Sequence, residues 1–181
     1  MSRIVFDLET TGLDTETTEI VEIAAIAFEY DSCSGPTIVS EFSSLVKPIF
    51  NDPSAVAIHG LSDDQLADAD GIDVVGHRFL EWVATVPTTK RWWIGHNIRR
   101  YDMPILRRCI GPNKLLDGYL FDTLEVAQQV YHSRQNKKLT SLYKHLRPDD
   151  DTQGAHRAMF DVKMNLIVAV DELQRLNTYK R

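Results

Sequence analysis

Hydrophobic positions in the first quarter of the chain follow the patterns of β-strands. Residues 3–10, 19–30 and 37–48 are rich in apolar and β-branched residues, and the last of these runs shows partial alternation between apolar and polar positions. Polar turns separate these runs, so three strands at hairpin spacing predict an antiparallel start to a sheet. The following stretch, 53–60, is interpreted as a loop.

The rest of the chain alternates between helical and strand patterns. Helices are predicted over residues 62–70, 73–85, 101–110, 124–131, 139–146 and 158–176, and short strands over 91–97 and 119–123. The last helix carries apolar residues at steps of three and four, which is an amphipathic pattern. Strands followed by alternating helices and strands predict an α/β fold, with a central mixed sheet and helices on both faces.

Length and composition fit one domain over residues 1–181, with 43% apolar and 25% charged residues. No stretch approaches the roughly 20 apolar residues that span a bilayer. Acidic residues near the N-terminus interrupt any signal-peptide pattern. We therefore expect an intracellular protein with no membrane contact, in which Cys33 and Cys109 are free thiols.

The net charge of −6 argues against a protein that coats nucleic acid through bulk positive charge. It is compatible with a nuclease, because bound divalent cations would cancel acidic residues in the site. Local positive charge is present at Arg99, Arg100, Arg107, Arg108, Arg134, Lys137 and Lys138. For Arg99 and Arg100 two interpretations remain, solvated side chains or contacts to phosphates.

Two acidic residues, Asp7 and Glu9, interrupt the apolar first strand. Side chains alternate between the faces of a strand, so these carboxylates point to the same side. Like charges on one face repel each other unless a cation lies between them, and Mg²⁺ and Mn²⁺ prefer oxygen ligands. The pair indicates either a divalent metal site or two solvated acids at a strand end. Gly12 in the following turn would let a ligand approach the backbone closely.

Three residues in the second half of the chain carry related chemistry. Asp102 lies near the start of a predicted helix, where a carboxylate is either a metal ligand or an acid stabilised by the helix dipole. His156 and Asp161 are five residues apart, which would point them away from each other within one helix. We therefore expect His156 on the loop before the last helix, as Gly154 permits. There it is either a general base, since histidine titrates near neutral pH, or a surface side chain.

Three segments together resemble the motifs of the DnaQ-like 3′–5′ exonucleases of the DEDD superfamily, in the histidine (DEDDh) subgroup. FDLETTGL at 6–13 resembles the first exonuclease motif, HNIRRYD at 96–102 the second, and HRAMFD at 156–161 the third. The resemblance extends over residues 4–175, with the three motifs in order. It implies a ribonuclease H-like exonuclease fold forming a single domain over residues 1–181.

The resemblance also implies a catalytic and metal-binding set. Asp7 would bridge two divalent ions, Mg²⁺ or Mn²⁺, about 3.5–4 Å apart. Glu9 and Asp161 would help to hold the ion that binds the attacking water, Asp102 would complete the ligands, and His156 would take the proton. The residues expected to contact the terminal nucleotide are Thr10, Thr11, Gly12, Leu13, His59 and Asn97.

The implied function is a metal-dependent 3′–5′ exonuclease that removes nucleoside 5′-monophosphates from single-stranded or frayed DNA. Such an enzyme would act alone or in proofreading with a DNA polymerase partner. A second function with the same fold is a 3′–5′ exoribonuclease of the RNase T or oligoribonuclease type, since contact with the 2′-OH decides between RNA and DNA. A third, from another class, is a catalytically inactive nucleic-acid-binding or partner-binding module, which the presence of all five motif residues disfavours.

Overall fold

The computed structural model describes residues 2–88, 90–132 and 135–178. Within these ranges the strands form one mixed sheet with the order β3-β2-β1-β4-β5. The strands are β1 (Ser2–Thr10), β2 (Ile20–Asp31), β3 (Gly35–Leu45), β4 (Trp92–Gly95) and β5 (Tyr119–Asp122). The first three pair antiparallel, whereas β4 is parallel to both β1 and β5. The predicted mixed sheet and its antiparallel start are confirmed.

The helices pack on both faces of this sheet, as predicted. They are α1 (Pro53–His59), α2 (Asp63–Leu66), α3 (Ile72–Thr85), α4 (Asp102–Ile110), α5 (Thr123–Val130), α6 (Leu139–Leu146) and α7 (Ala158–Thr178), with a short 3₁₀ helix at Lys114–Leu116. One core joins the sheet to α3 and α4, and a second core joins its opposite face to α7. A third cluster joins α5, α6 and α7.

The alternation of side chains along β1 decides which residues face which helices. Ile4, Phe6 and Leu8 belong to the core with α3 and α4, whereas Val5 belongs to the core with α7. Residues of the same parity as Val5 therefore face α7, and these include Asp7 and Glu9. Both carboxylates consequently point towards the side of the sheet that α7 covers.

The adjacent tryptophans of β4 lie on opposite faces, as the strand period predicts. Trp93 is fully buried and packs edge-on against Phe6, with ring centroids 5.5 Å apart. Trp92 is half-buried and lies 5.2 Å from the ring of Tyr119 on β5. Only Trp93 is therefore part of the fully buried core.

The interpretation of residues 53–60 as a loop is wrong, because Pro53–His59 form helix α1. The Asp52 side chain caps this helix by accepting from the Ser54 amide, and Pro53 stands in its first turn, where the missing N–H costs nothing. Gly60 ends it in the left-handed conformation with φ 72°. The same residue types also mark turns, and seven residues are too few to establish a helical period.

The structure also bears on the expected cysteine chemistry and membrane contact. Cys33 is exposed and Cys109 is half-buried, and both are free thiols, as predicted. No helix within the described ranges combines the length and the apolar character that a membrane span requires.

Candidate active site

The parallel strands β1 and β4 separate before β1 ends, which opens a space beside its last residues. Their pairing runs only from Arg3 to Val5, and β4 ends at Gly95. Asp7 and Glu9 lie beyond this pairing, at the carboxyl end of the strand. Carboxyl ends of strands in open α/β sheets are where ligands usually bind, especially where neighbouring chains diverge.

Helix α7 brings a third carboxylate to this space. Asp161 lies in its first turn, and one oxygen from each of Asp7, Glu9 and Asp161 lies within 4.8 Å of the others. Three carboxylate oxygens at this spacing, with the side chains half-buried or buried, are a donor set suited to a hard divalent cation. The structure thus brings together three of the four acids singled out in the sequence.

The fourth acid, Asp102, approaches the same space from α4. It is the first residue of that helix and is 4% exposed. A hydrogen bond from the backbone of Leu8 holds its carboxylate beside β1. Its negative charge raises the pKa of Asp7, which confirms that the two carboxylates are near neighbours. The dipole of α4 favours a negative charge at this position. The dipole does not explain why Asp102 is buried beside other acids, whereas a role as a metal ligand does.

Burial raises the pKa values of all four carboxyl groups, and repulsion within the set adds to the rise at Asp7 and Glu9. The pKa of Asp7 lies well above its usual range because of burial and then the charges of Asp102 and Asp161. Burial, with repulsion from Asp161, raises the pKa of Glu9 to about 8. Burial raises the pKa of Asp102 to about 7 and that of Asp161 to about 6. Four acids held this close without a cation resist ionisation, and a bound cation would reverse that effect.

His156 lies on the loop before α7, as its spacing from Asp161 predicts. The helix begins at Ala158, and His156 is exposed with φ 68°. Its backbone amide donates to the Asp161 carboxylate, with N···O distances of 3.3 and 3.4 Å. Gly154 is required by packing, because a Cβ there would meet the Phe160 ring at 2.6 Å. The loop is therefore pressed against α7, and its histidine faces solvent beside the carboxylates.

An ion pair that sequence reasoning missed holds this loop. Arg157 donates twice to Glu22, at 3.1 and 3.0 Å, and Glu22 is 3% exposed. Glu22 also accepts from the Ala158 amide at 3.0 Å, so it caps α7. Glu22 lies on β2 directly opposite Glu9 of β1, so the pair ties the start of α7 to the sheet beside the carboxylate cluster. Its position between apolar residues on both sides, within the run of residues 19–30, could have drawn attention to it.

Asp122, to which the sequence analysis assigned no role, holds the turn that leads to Asp102. Its buried carboxylate accepts from the Asn97 amide at 3.0 Å and from the Arg99 amide at 3.1 Å. It also caps α5 through the Leu124 amide. Asn97 adopts φ 68°, a left-handed conformation that asparagine tolerates better than most residues. Arg99 pairs with Glu125, which accounts for its charge within the fold.

A pocket of about 500 Å³ opens on the Glu9 side of the carboxylates. Four of the six residues expected to contact the terminal nucleotide line it: Thr10, Gly12, Leu13 and His59. The Tyr101 hydroxyl donates to the Gly12 carbonyl at 2.6 Å and lies 2.6 Å from the Thr10 hydroxyl, so it fixes the turn. Leu13 is 84% exposed at the mouth of the pocket.

His59 is buried in the wall of this pocket, with a defined proton arrangement. Its Nδ1 accepts from the Leu61 amide at 3.0 Å, and burial lowers its pKa, so Nε2 carries the proton of a neutral ring. Nε2 has no hydrogen-bond partner among the described residues. Thr11, by contrast, does not line the pocket, because its hydroxyl accepts from the Glu19 amide within the turn.

A second cavity, of about 870 Å³, opens on the Asp161 side. Asn97, His156 and Asp161 line its inner end, and residues 135–140 form its outer wall. The carboxylate cluster therefore lies between two cavities, with Glu9 in the wall of one and Asp161 in the wall of the other.

The fold of this chain is similar to the folds of solved exonuclease structures. E. coli exonuclease I in complex with a dT13 oligonucleotide matches with a TM-score of 0.78 at 22% identity, over 98% of this chain and 43% of that chain. Exonuclease X in complex with 5′ overhanging duplex DNA matches with a TM-score of 0.69 at 24% identity, over 99% of this chain and 93% of that chain. The expected exonuclease fold is confirmed.

The sequence comparisons agree with the fold. The profile of the exonuclease family matches residues 4–169, and the chain belongs to this family. Exonucleases of this family depend on divalent metal ions. The DNA polymerase III PolC-type protein of Bacillus subtilis is 32% identical over 168 residues, and a DNA polymerase III subunit epsilon-like protein of Rhodobacter capsulatus is 32% identical over 167. The matches cover 88% and 89% of this chain but only 10% and 22% of those relatives. The exonuclease class inferred from the three motifs is confirmed.

Proposed function

We propose that this chain is an intracellular, metal-dependent 3′–5′ exonuclease that releases nucleoside 5′-monophosphates from single-stranded or frayed DNA. The observation that carries the proposal is the set of four carboxylates at the end of β1, with raised pKa values, beside the exposed His156. Residues 1–181 form one exonuclease domain in this proposal. Burying carboxylates that repel one another costs free energy unless a cation neutralises them, so an ordinary surface cluster of acids does not explain this arrangement.

The acidic residues hold two divalent ions, Mg²⁺ or Mn²⁺. Asp7, Glu9 and Asp161 supply the closely spaced oxygens, and Asp102 completes the ligand set beside Asp7. When bound, the ions supply stabilisation for the negative charge that develops on the phosphate and the leaving oxygen. Carboxylate ligands suit both metals.

His156 acts as the general base. It takes a proton from the water whose oxygen forms a new bond to the phosphorus of the terminal nucleotide. The bond that breaks joins this phosphorus to the 3′ oxygen of the preceding nucleotide, so the terminal nucleotide leaves with a 5′-phosphate. Exposure of the imidazole on a loop held by Asp161 supports this role, because a base needs access to water and to solvent.

The pocket on the Glu9 side receives the terminal nucleotide. Thr10, at the end of β1, and Gly12 and Leu13, in the turn after it, contact this nucleotide. The His59 Nε2–H is a donor with no hydrogen-bond partner among the described residues. Thr11 shapes that turn, through its hydroxyl, and Asn97 approaches from the opposite cavity. The exposed Leu13 suits contact with an unstacked base.

DNA is the proposed substrate because the similar sequences belong to DNA polymerase III proteins, and the similar structures contain DNA. The same similarity supports a proofreading role beside a DNA polymerase. In that role, this exonuclease would act with its polymerase partner either as a separate subunit or as part of a longer chain.

The test uses 5′-labelled single-stranded DNA and RNA of matched sequence, with Mg²⁺ or Mn²⁺, with a chelator, and with the His156→Ala variant. His77→Ala is the matched control, because His77 is an exposed histidine of α3. We expect a product ladder that shortens from the 3′ end, with DNA cut faster than RNA. The chelator should abolish cleavage, and His156→Ala should slow it strongly, whereas His77→Ala should not. Faster cleavage of RNA would favour the exoribonuclease instead, and no shortening of either strand would favour an inactive binding module.

A further inference from the structure

The turn between β1 and β2 carries part of the pocket on the Glu9 side. It spans residues 11–19, and its Gly12 and Leu13 line that pocket. The Asp14 carboxylate accepts two hydrogen bonds at 3.0 Å from other groups of the turn. Bonds of this kind hold the turn together, but they do not decide where the turn lies relative to the carboxylate cluster.

Arg108, near the end of α4, reaches this turn and binds it at two points. Its Nε donates to the Thr15 carbonyl at 2.9 Å, and its Nη2 donates to the Thr18 carbonyl. These carbonyls are 93 and 90 positions away in the sequence. A guanidinium carries its donors in a fixed planar arrangement, so it can hold two carbonyls at a set separation. Arg108 therefore joins α4 to the turn.

The neighbouring arginine shows that this contact depends on the position of Arg108 in the helix. Arg107 donates instead to the Leu116 carbonyl at 3.0 Å, because adjacent residues of a helix point about 100° apart. Both arginines lie in the last turn of α4, where the helix dipole favours positive charge. That general effect applies equally to both side chains, so it does not account for the bonds between Arg108 and a distant turn.

Helix α4 thereby relates the pocket to the carboxylate cluster. Asp102 of the cluster is its first residue, and Tyr101, directly before it, donates to the Gly12 carbonyl at 2.6 Å. The Thr18 hydroxyl donates to the same carbonyl at 3.1 Å, and Arg108 holds the backbone of Thr18. The turn is consequently bound near both ends of one helix, which fixes its place relative to Asp102.

We propose that Arg108 is a positioning residue for the terminal nucleotide, because it holds the turn that presents Leu13 to the last base. The proposal rests on the exonuclease function proposed above, in which Leu13 contacts this nucleotide. Arg108 does not itself line the pocket, so it acts through the turn and not by touching the substrate.

The first test examines the turn without catalysis. Hydrogen–deuterium exchange in EDTA follows peptides that cover residues 11–19, for the full chain and for two variants. Arg108→Gln is expected to speed exchange at the amides of Thr17 and Thr18, which are bonded within the turn. Arg107→Gln is the matched control, because it removes an adjacent arginine that binds elsewhere. Equal exchange in the two variants would overturn the proposal.

The second test asks whether Arg108 acts through Leu13. Steady-state kinetics on 5′-labelled single-stranded DNA with Mg²⁺ should show that Arg108→Gln raises KM by roughly 3- to 10-fold, as expected for lost hydrogen bonds, with kcat little changed. Arg108→Lys should recover part of the loss, because an ammonium can keep one of the two bonds. In a Leu13→Ala background, Arg108→Gln should add little, since residues that act through one contact are not additive. Thermal unfolding checks that each variant is folded.

The outcomes separate this proposal from the proposed function. Equal KM values for Arg108→Gln and Arg107→Gln would contradict the positioning role. So would an undiminished effect of Arg108→Gln in the Leu13→Ala background, because Arg108 would then act independently of Leu13. A wild-type protein that shortens no substrate, in which Arg108→Gln still speeds exchange in the turn, would refute the exonuclease function while supporting the link between Arg108 and the turn.

Discussion

The metal-free protein should lose stability as the pH rises, and Glu9→Gln should recover part of the loss. The ordinary pKa of a glutamate, 4.5, rises to about 8 at Glu9 because of burial and the charges of Asp161, Glu22 and Asp102. A raised pKa means that the folded state holds the proton more tightly than the unfolded chain. The associated stability is complete below pH 4.5 and is lost as the pH rises through about 8.

The size of the effect follows from the pKa. A rise from 4.5 to about 8, at about 1.4 kcal/mol per pH unit, corresponds to about 5 kcal/mol of unfolding free energy above pH 8. Glutamine removes the ionisation but stays a buried polar group, so we expect roughly half of this to be recovered. For a chain of this length that gain is a rise in Tm of roughly 5–10 °C.

The assay is thermal unfolding by circular dichroism in EDTA at pH 5.5 and pH 8.5, for the wild type, Glu9→Gln and the control Glu41→Gln. Glu41 is exposed on the edge strand β3. Glu9→Gln should raise Tm at pH 8.5 and have a much smaller effect at pH 5.5. Added Mg²⁺ should stabilise the wild type more than the variant. The reasoning is refuted by a wild-type Tm that is equal at both pH values, or by equal effects of the two substitutions.

Four further outcomes are expected. His156→Ala should lower kcat by roughly 10²–10⁴-fold with DNA affinity retained, and an unchanged kcat would remove its role as base. Asp7→Asn should abolish metal-dependent cleavage in a protein whose thermal unfolding remains cooperative; unfolding at room temperature would make Asp7 structural. Arg157→Ala leaves the buried Glu22 with the Ala158 amide alone, so the free energy of unfolding measured in urea should fall by about 2–3 kcal/mol. A fall of less than about 0.5 kcal/mol would contradict this, because an exposed ion pair contributes no more than that. Tyr101→Phe removes the bond to the Gly12 carbonyl and should raise KM several-fold with little change in kcat; an unchanged KM would show that this bond does not shape the pocket.

Local patterns in the sequence predicted most of the secondary structure because the long elements repeat their period several times. The three- and four-residue steps of the apolar residues in α7 are an example. Helix α1 was missed since its caps, Asp52 with Pro53 and Gly60, use the same residue types as turns. Its seven residues are too short for the apolar period to decide the matter.

The supporting residues of the site could not be predicted because their partners are distant in the chain. Glu22 and Arg157 are separated by 135 positions, and Asp122 meets Asn97 across 25. Glu22 stands out as an acid in an apolar run, but no local pattern around either acid identifies the distant donors that it binds. Only packing of α7 on the sheet, and of β5 beside β4, gives each carboxylate its donors.

The amino-acid sequence by itself determined the chemical groups and their local geometry. It placed Asp7 and Glu9 on one face of a strand, and it placed His156 on a loop before α7, since both follow from the fixed periods of strands and helices. The tertiary structure alone decided that Asp102 and Asp161 join them, that two cavities border the cluster, and that the carboxyl groups resist ionisation. The reason is that proximity and burial depend on how distant segments pack, and a local pattern contains no information about either.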